Sequence, residues 1–132
     1  VTRYCLDTSA YSHFMRGHEE VTARIDSAAW VGVPAVVLGE LWLGFRLGSH
    51  AGQNEWELRE FLANPAVEIL PVDHAVAEIY GEVVAALRRR GTPLPTNDVW
   101  IAATAARAGS PVLTFDRHFR TIERVGSIIL ED

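Results

Sequence analysis

The chain contains no lysine; all twelve of its cationic side chains are arginine. That absence removes the glycine-rich phosphate loop with its lysine, and no G-x-G-x-x-G segment stands in for it. A single cysteine, Cys5, excludes an internal disulfide framework and any cysteine-rich zinc site. No apolar run approaches the roughly 18 residues that cross a bilayer. No basic-then-apolar segment opens the chain either, so a cytoplasmic protein without a membrane partner is expected. Positive charge is in deficit, with a formal net charge of −5. This argues against a basic surface that coats nucleic acid. It leaves open nucleic-acid chemistry at an acidic pocket, where bound cations change the local charge.

With 48% hydrophobic and 22% charged residues, the 132 residues have an ordinary globular composition. They read as one domain over residues 1–132, with a core of its own. Short apolar runs at 3–7, 30–33, 67–72, 112–115 and 127–130 read as strands. Helical spacing is expected over 9–16, 19–29, from Pro34 to Gly48, around Trp56 to Leu62, from Asp73 through Leu87, and from Asn97 to Ala108. Asp73 is a plausible N-cap. Arg88, Arg89 and Arg90 fall in a last helical turn, where the dipole favours cations. Strands separated by helices imply parallel pairing with helices on both faces of the sheet. The fold class is therefore α/β.

Four acids stand in unusual settings. Asp7 closes Tyr4-Cys5-Leu6-Asp7, and Asp116 closes Val112-Leu113-Thr114-Phe115-Asp116. Asp98 opens the small-residue helix Asn97-Asp98-Val99-Trp100-Ile101-Ala102-Ala103. Glu40 lies inside the apolar stretch from Pro34 to Gly48. Taken singly, most have a plain structural reading. Asp7 caps the next helix, Asp98 is a helix-start acid stabilised by the dipole, and Asp116 is a turn residue or the ion-pair partner of a neighbour. Glu40 fits least well, because a carboxylate among Val37, Leu41 and Trp42 needs a partner. Taken together, each placement permits convergence beyond the carboxyl ends of the strands, where open parallel sheets bind ligands. Clustered carboxylates repel, and a cation reverses that penalty. Oxygen donors without histidine or cysteine nearby favour Mg2+ or Mn2+, and phosphodiester hydrolysis is the natural chemistry of such a site.

These segments resemble PIN-domain ribonucleases, and within them the VapC-type toxins of toxin–antitoxin pairs. The resemblance rests on Leu6-Asp7-Thr8-Ser9, on Val37-Leu38-Gly39-Glu40-Leu41, on the Asn97 to Ala105 segment, and on Leu113-Thr114-Phe115-Asp116-Arg117-His118-Phe119. It covers essentially the whole chain. It implies a three-layer α/β/α domain with a mainly parallel sheet, and Mg2+- or Mn2+-dependent endonucleolytic cleavage of RNA. Asp7 and Asp98 would be direct metal ligands, with Asp116 and Glu40 completing the site directly or through water. Thr8 or Ser9, Asn97 and Thr114 would be supporting polar residues. The resemblance also implies a homodimer held inactive in a hetero-oligomer by a VapB-type antitoxin.

Other residues keep two readings. Trp42, Phe45, Trp56 and Phe61 fit an apolar groove for that antitoxin, or simply a core at helical spacing. Arg88 to Arg90 are a solvated helix terminus, or contacts for RNA phosphates. His13, His18, His50, His74 and His118 lack metal-ligand spacing and read as surface or capping residues. Two rival functions remain to be weighed. Phosphoryl transfer through an aspartyl intermediate wants a lysine, and the phosphatases also want an acid where Ser9 stands. A PIN-like module acting only through antitoxin and DNA assembly would be marked by loss of one of the acids, and none is lost.

Overall fold

The computed structural model describes residues 2–132. Five strands form one sheet in the order β3-β2-β1-β4-β5, and every pairing is parallel. They are β1 (Arg3–Leu6), β2 (Trp30–Pro34), β3 (Val67–Leu70), β4 (Val112–Thr114) and β5 (Ser127–Ile129). Six helices connect them: α1 (Thr8–Met15), α2 (Glu19–Ser27), α3 (Ala35–Leu47), α4 (Ala51–Leu62), α5 (His74–Arg89) and α6 (Thr96–Ala108). This is the α/β architecture with a parallel sheet that the run pattern implies. The inner strands read as unbroken apolar runs because both faces of a parallel sheet are covered. Cys5, Leu6, Val33, Val112 and Leu113 are wholly buried.

The α5 start is set by Asp73, whose Oδ1 accepts the Val76 N–H at 3.0 Å. At the C-terminal end of α6, Gly109 takes the left-handed conformation, with φ 67°. Its N–H returns to the Ala105 and Ala106 carbonyls, which closes the helix. The small side chains of α6 matter to the packing: Ala102, Ala103 and Ala105 are buried, and the helix lies against β2, α3 and α5.

Several boundaries differ from the sequence expectation, each for a local reason. Asp7 and Asp116 stand just past their strands, because each carboxylate caps the element that follows. Pro34 ends β2 rather than opening α3, since its φ and ψ are extended. The third strand stops at Leu70, ahead of Pro71, which has no N–H to give the ladder. A five-residue 3-10 helix over Arg117–Thr121 has no signature in the hydrophobic pattern.

The strand order creates the functional edge. From β1 the chain adds β2 and β3 on one side and β4 and β5 on the other. The crevice beyond the carboxyl ends of β1 and β4 is therefore the topological switch point of the sheet. Asp7 follows one of those strands and Asp116 follows the other within two residues.

Candidate active site

Strand register brings the first two acids to the same place. Cys5 pairs with Val112 and Leu6 with Leu113, and the Asp7 N–H continues the ladder to the Leu113 carbonyl at 3.3 Å. Thr114 thus stands beside Asp7. Its hydroxyl donates to Asp7 Oδ2 at 2.5 Å and accepts the Asp116 N–H at 2.9 Å. The other oxygen, Asp7 Oδ1, accepts the Ala10 N–H at 2.9 Å and the Ser9 hydroxyl at 2.8 Å. Ser9 Oγ in turn accepts the Phe115 N–H at 3.0 Å. Two hydroxyls therefore lace the end of β1 to the turn after β4.

Asp7 is buried. Burial raises its pKa, with a smaller push from Asp116, while the bonds from Thr114, Ala10 and Ser9 pull the other way. An ionised carboxylate offers about four acceptor positions. The two protein donors on Oδ1 and the one on Oδ2 leave a lone pair free on Oδ2.

Glu40 is the sixth residue of α3 and half-buried. The partner its setting demands is present twice over. Thr8 donates its hydroxyl to Glu40 Oε1 at 2.6 Å, and Asn97 donates its amide to Oε2 at 3.4 Å. Asp98, the next residue on α6, lies in the first helical turn, where exposed N–H groups favour an anion. Its carboxyl is nevertheless pushed up to about 6, first by burial and then by Asp116, Asp7 and Glu40, with His118 opposing. Asp98 therefore lies within electrostatic reach of all three other acids.

Asp116 is anchored by its neighbour but one. Its Oδ1 accepts the His118 N–H at 2.9 Å, and His118 Nδ1 stands 3.1 Å from the same oxygen. The adjacent Arg117 turns away to Glu131 at 3.6 Å. His118 is a member of the site that its spacing did not reveal as such. The signal was an acid and a histidine two apart immediately beyond a strand.

Does a divalent ion suit this set? As the side chains stand, no three His, Cys, Asp or Glu groups among the described residues are gathered to enclose an ion. The donors are carboxylate oxygens, one has an open lone pair, and their mutual repulsion calls for positive charge. Mg2+ usually keeps several waters and takes only one or two carboxylates directly. The residues fit such a hydrated ion and not a closed protein cage. Cys5 supplies no alternative chemistry: burial and nearby Asp7 raise its thiol pKa, so the reactive thiolate is disfavoured.

The remaining sequence candidates divide. Phe61 packs edge-on against Tyr11 and beside Phe14, while Trp42 meets Phe45 and lies under the Arg59 guanidinium. Trp42, Phe45 and Phe61 pack against the core, whereas Trp56 is 59% exposed, with Leu43 and Leu47 also exposed, so the core reading holds for three of the four and not for Trp56. His18 caps α2 by accepting the Val21 N–H. His13 departs from the surface-or-capping reading: its ring stacks on Phe115 at 3.7 Å and Nδ1 bonds the Ser9 carbonyl.

Known proteins share this frame. The family model described as the PIN domain matches residues 4–125. Ribonuclease VapC4 of Mycobacterium tuberculosis is 35% identical over 99 residues, covering 75% of this chain and 76% of its own. Among solved structures, VapBC2 from Rickettsia felis bound to a promoter DNA fragment superposes with a TM-score of 0.88 at 22% identity, over 98% of this chain and all of that one. VapBC-5 of M. tuberculosis, a toxin–antitoxin system, superposes with a TM-score of 0.78 at 29% identity, covering 98% and 100%.

Proposed function

This chain belongs to the PIN-domain family, and on that premise we propose that it is a metal-dependent endoribonuclease. It acts as the toxin of a toxin–antitoxin pair. The observation that carries the reading is the hydrogen-bond lacing at the switch point of the sheet, where Thr114 ties Asp7 to Asp116 and Glu40 is held between Thr8 beside Asp7 and Asn97 beside Asp98. Service as caps or turn residues alone would not require those four to share a site. The relatives named as ribonucleases, and the solved neighbours named as toxin–antitoxin complexes, support the substrate class and the partner.

In this reading Asp7 and Asp98 would hold Mg2+ or Mn2+, with Asp116 and Glu40 completing the site directly or through water. Such an ion would supply positive charge for a phosphoryl oxygen, an attacking water and the departing oxygen. The protein supplies the orientation. Thr114 and Ser9 fix the Asp7 carboxylate so that one lone pair of Oδ2 points free. Thr8 and Asn97 hold Glu40 from both sides, leaving acceptor capacity for the proton of an attacking water. His118 fixes Asp116. Water forms the new P–O bond as Glu40 takes its proton, and the bond to the ribose oxygen breaks with that oxygen taking a proton from solvent water.

The partners in this reading are RNA, a second copy of the chain and a VapB-type antitoxin. No helix of the described residues is long and apolar enough to cross a membrane. The deciding experiment is cleavage of RNA by purified Asp7→Asn and Asp98→Asn variants with Mg2+. Both are expected to fold and to lose cleavage, and growth arrest on expression without antitoxin is expected to disappear with Asp98→Asn. Undiminished cleavage by either variant sinks the assignment.

A further inference from the structure

The twelve arginines are unevenly placed. Six of them, Arg88, Arg89, Arg90, Arg117, Arg120 and Arg124, belong to the α5 C-terminus and to the segment running on from Asp116. Those two stretches are joined in space. Arg90 donates to the Thr121 carbonyl at 2.7 Å and to Glu123 at 2.8 Å, and Arg124 reaches back to Glu82 on α5 at 3.7 Å. The α5 end also leads through a short loop to α6, where Asn97 and Asp98 stand. In a chain with a net charge of −5, half of the positive charge lies in these two stretches, one leading to Asp98 and the other starting from Asp116.

Between these stretches lies a cleft of about 520 Å3. Val83, Ala86 and Ile122 give it an apolar floor, Val83 and Ile122 lying almost wholly buried, and Arg89, Arg90 and Arg124 form its rim together with Glu82 and Glu123. Two of these arginines are tethered by Glu123 and Glu82, which hold them at the cleft. Arg88, Arg89 and Arg120 have no carboxylate within 4.0 Å among the described residues. The short 3-10 helix from Arg117 to Thr121 links Asp116 to the cleft. At about 2 Å of rise per residue it spans roughly 10 Å, close to three stacked nucleotides at about 3.4 Å each.

We infer that the cleft between α5 and the segment 121–124 is a second RNA-binding site, taking the single strand about three nucleotides from the scissile phosphate. A nucleobase rests on the floor formed by Val83, Ala86 and Ile122, and Arg89 and Arg124 hold the flanking phosphates. The charge and the apolar floor together select a nucleic-acid strand: phosphates alone need no apolar floor, and an apolar peptide needs no arginine rim. This site rests on the ribonuclease reading for its orientation, but binding is measurable without cleavage.

The test uses full-length protein carrying Asp98→Asn, in EDTA, with a fluorescent single-stranded RNA of about 12 nucleotides. Binding is followed by anisotropy over a range of salt. Adding Arg89→Glu and Arg124→Ala is expected to weaken binding about tenfold and to flatten the salt dependence by about 0.7 for each phosphate no longer neutralised. Ala86→Trp, which fills the cleft without touching charge, is expected to weaken binding while leaving that slope unchanged. A three-nucleotide RNA is expected to bind all these proteins equally. In enzyme with its acids intact, Arg89→Glu should raise KM for long RNA at constant kcat. Unchanged affinity of the long RNA in both cleft variants overturns the inference, as does an equal loss on the short RNA. If Asp98→Asn still cleaves, it is the catalytic reading that fails, and the two failures stay distinct.

Discussion

The Thr114 hydroxyl donates to Asp7 Oδ2 at 2.5 Å, from the neighbouring strand at the switch point of the sheet. The same hydroxyl oxygen accepts the Asp116 N–H at 2.9 Å. One side chain therefore ties the carboxylate beyond β1 to the backbone of the acid beyond β4. Thr114 and Asp7 are both buried, so the bond between them does not compete with bulk water.

Thr114→Val keeps the shape of the side chain and removes the hydroxyl. Asp7 then loses a donor while staying buried, and the Asp116 N–H loses its acceptor. We expect a loss of about 1–3 kcal/mol in stability, read by urea unfolding. RNA cleavage should fall about 10–100-fold, as for loss of a residue that orients a metal ligand. Full activity in a folded variant would mean that Asp7 does not need this bond to do its work.

Glu40 offers a sharper separation. Thr8→Val removes the 2.6 Å bond to Oε1 but leaves the carboxylate in place, whereas Glu40→Gln keeps the shape and removes the charge. If Glu40 takes a proton from water, Glu40→Gln lowers kcat about 100-fold and leaves KM nearly unchanged. Thr8→Val then costs less than Glu40→Gln. Equal kinetics in the two variants would reduce Glu40 to a structural partner of Thr8.

The fold and the acids were legible for one reason: both are written in local patterns. The strand runs, the cap at Asp73 and the small residues of α6 need only neighbours in the chain. Convergence of Asp7 with Asp116 was legible only as something permitted, since it depends on β1 pairing with β4 from far along the chain. His118 and His13 escaped because their roles come from geometry. One turns back on Asp116 through a short 3-10 helix with no periodic signature, and the other stacks on Phe115 from a distant helix. The Arg88 to Arg90 run looked like a solvated terminus. The bond from Arg90 to Thr121 is tertiary and invisible to composition.

Asp73→Ala gives the control for these variants. Asp73 caps α5 through Val76 and belongs to none of the four acids. Its loss should cost about 1 kcal/mol, seen as a lower Tm, with cleavage at low temperature unchanged. A matching loss of cleavage would show that activity follows stability alone, and would weaken every assignment drawn from the other variants.

Proton linkage tests the acid cluster as a unit. Asp98 is pushed up to about 6 by burial and by Asp116, Asp7 and Glu40, and burial raises Asp7 as well. A carboxyl whose folded pKa exceeds its unfolded value leaves the folded state holding more protons over that interval, so stability falls as pH rises. For Asp98 the penalty is absent below the ordinary 3.8, grows through about 6, and is complete above it. Metal-free protein should therefore lose Tm through these groups between about pH 4 and pH 7. Asp98→Asn should melt higher than the parent at neutral pH, with the difference vanishing near the acid end. Mg2+ should raise the Tm of the parent at neutral pH, where the acids are ionised, and much less at about pH 5. The same Mg2+ should shift Asp98→Asn little at either pH. Equal Mg2+ shifts in parent and variant at neutral pH would place the ion elsewhere and dissolve the link between repulsion and metal binding.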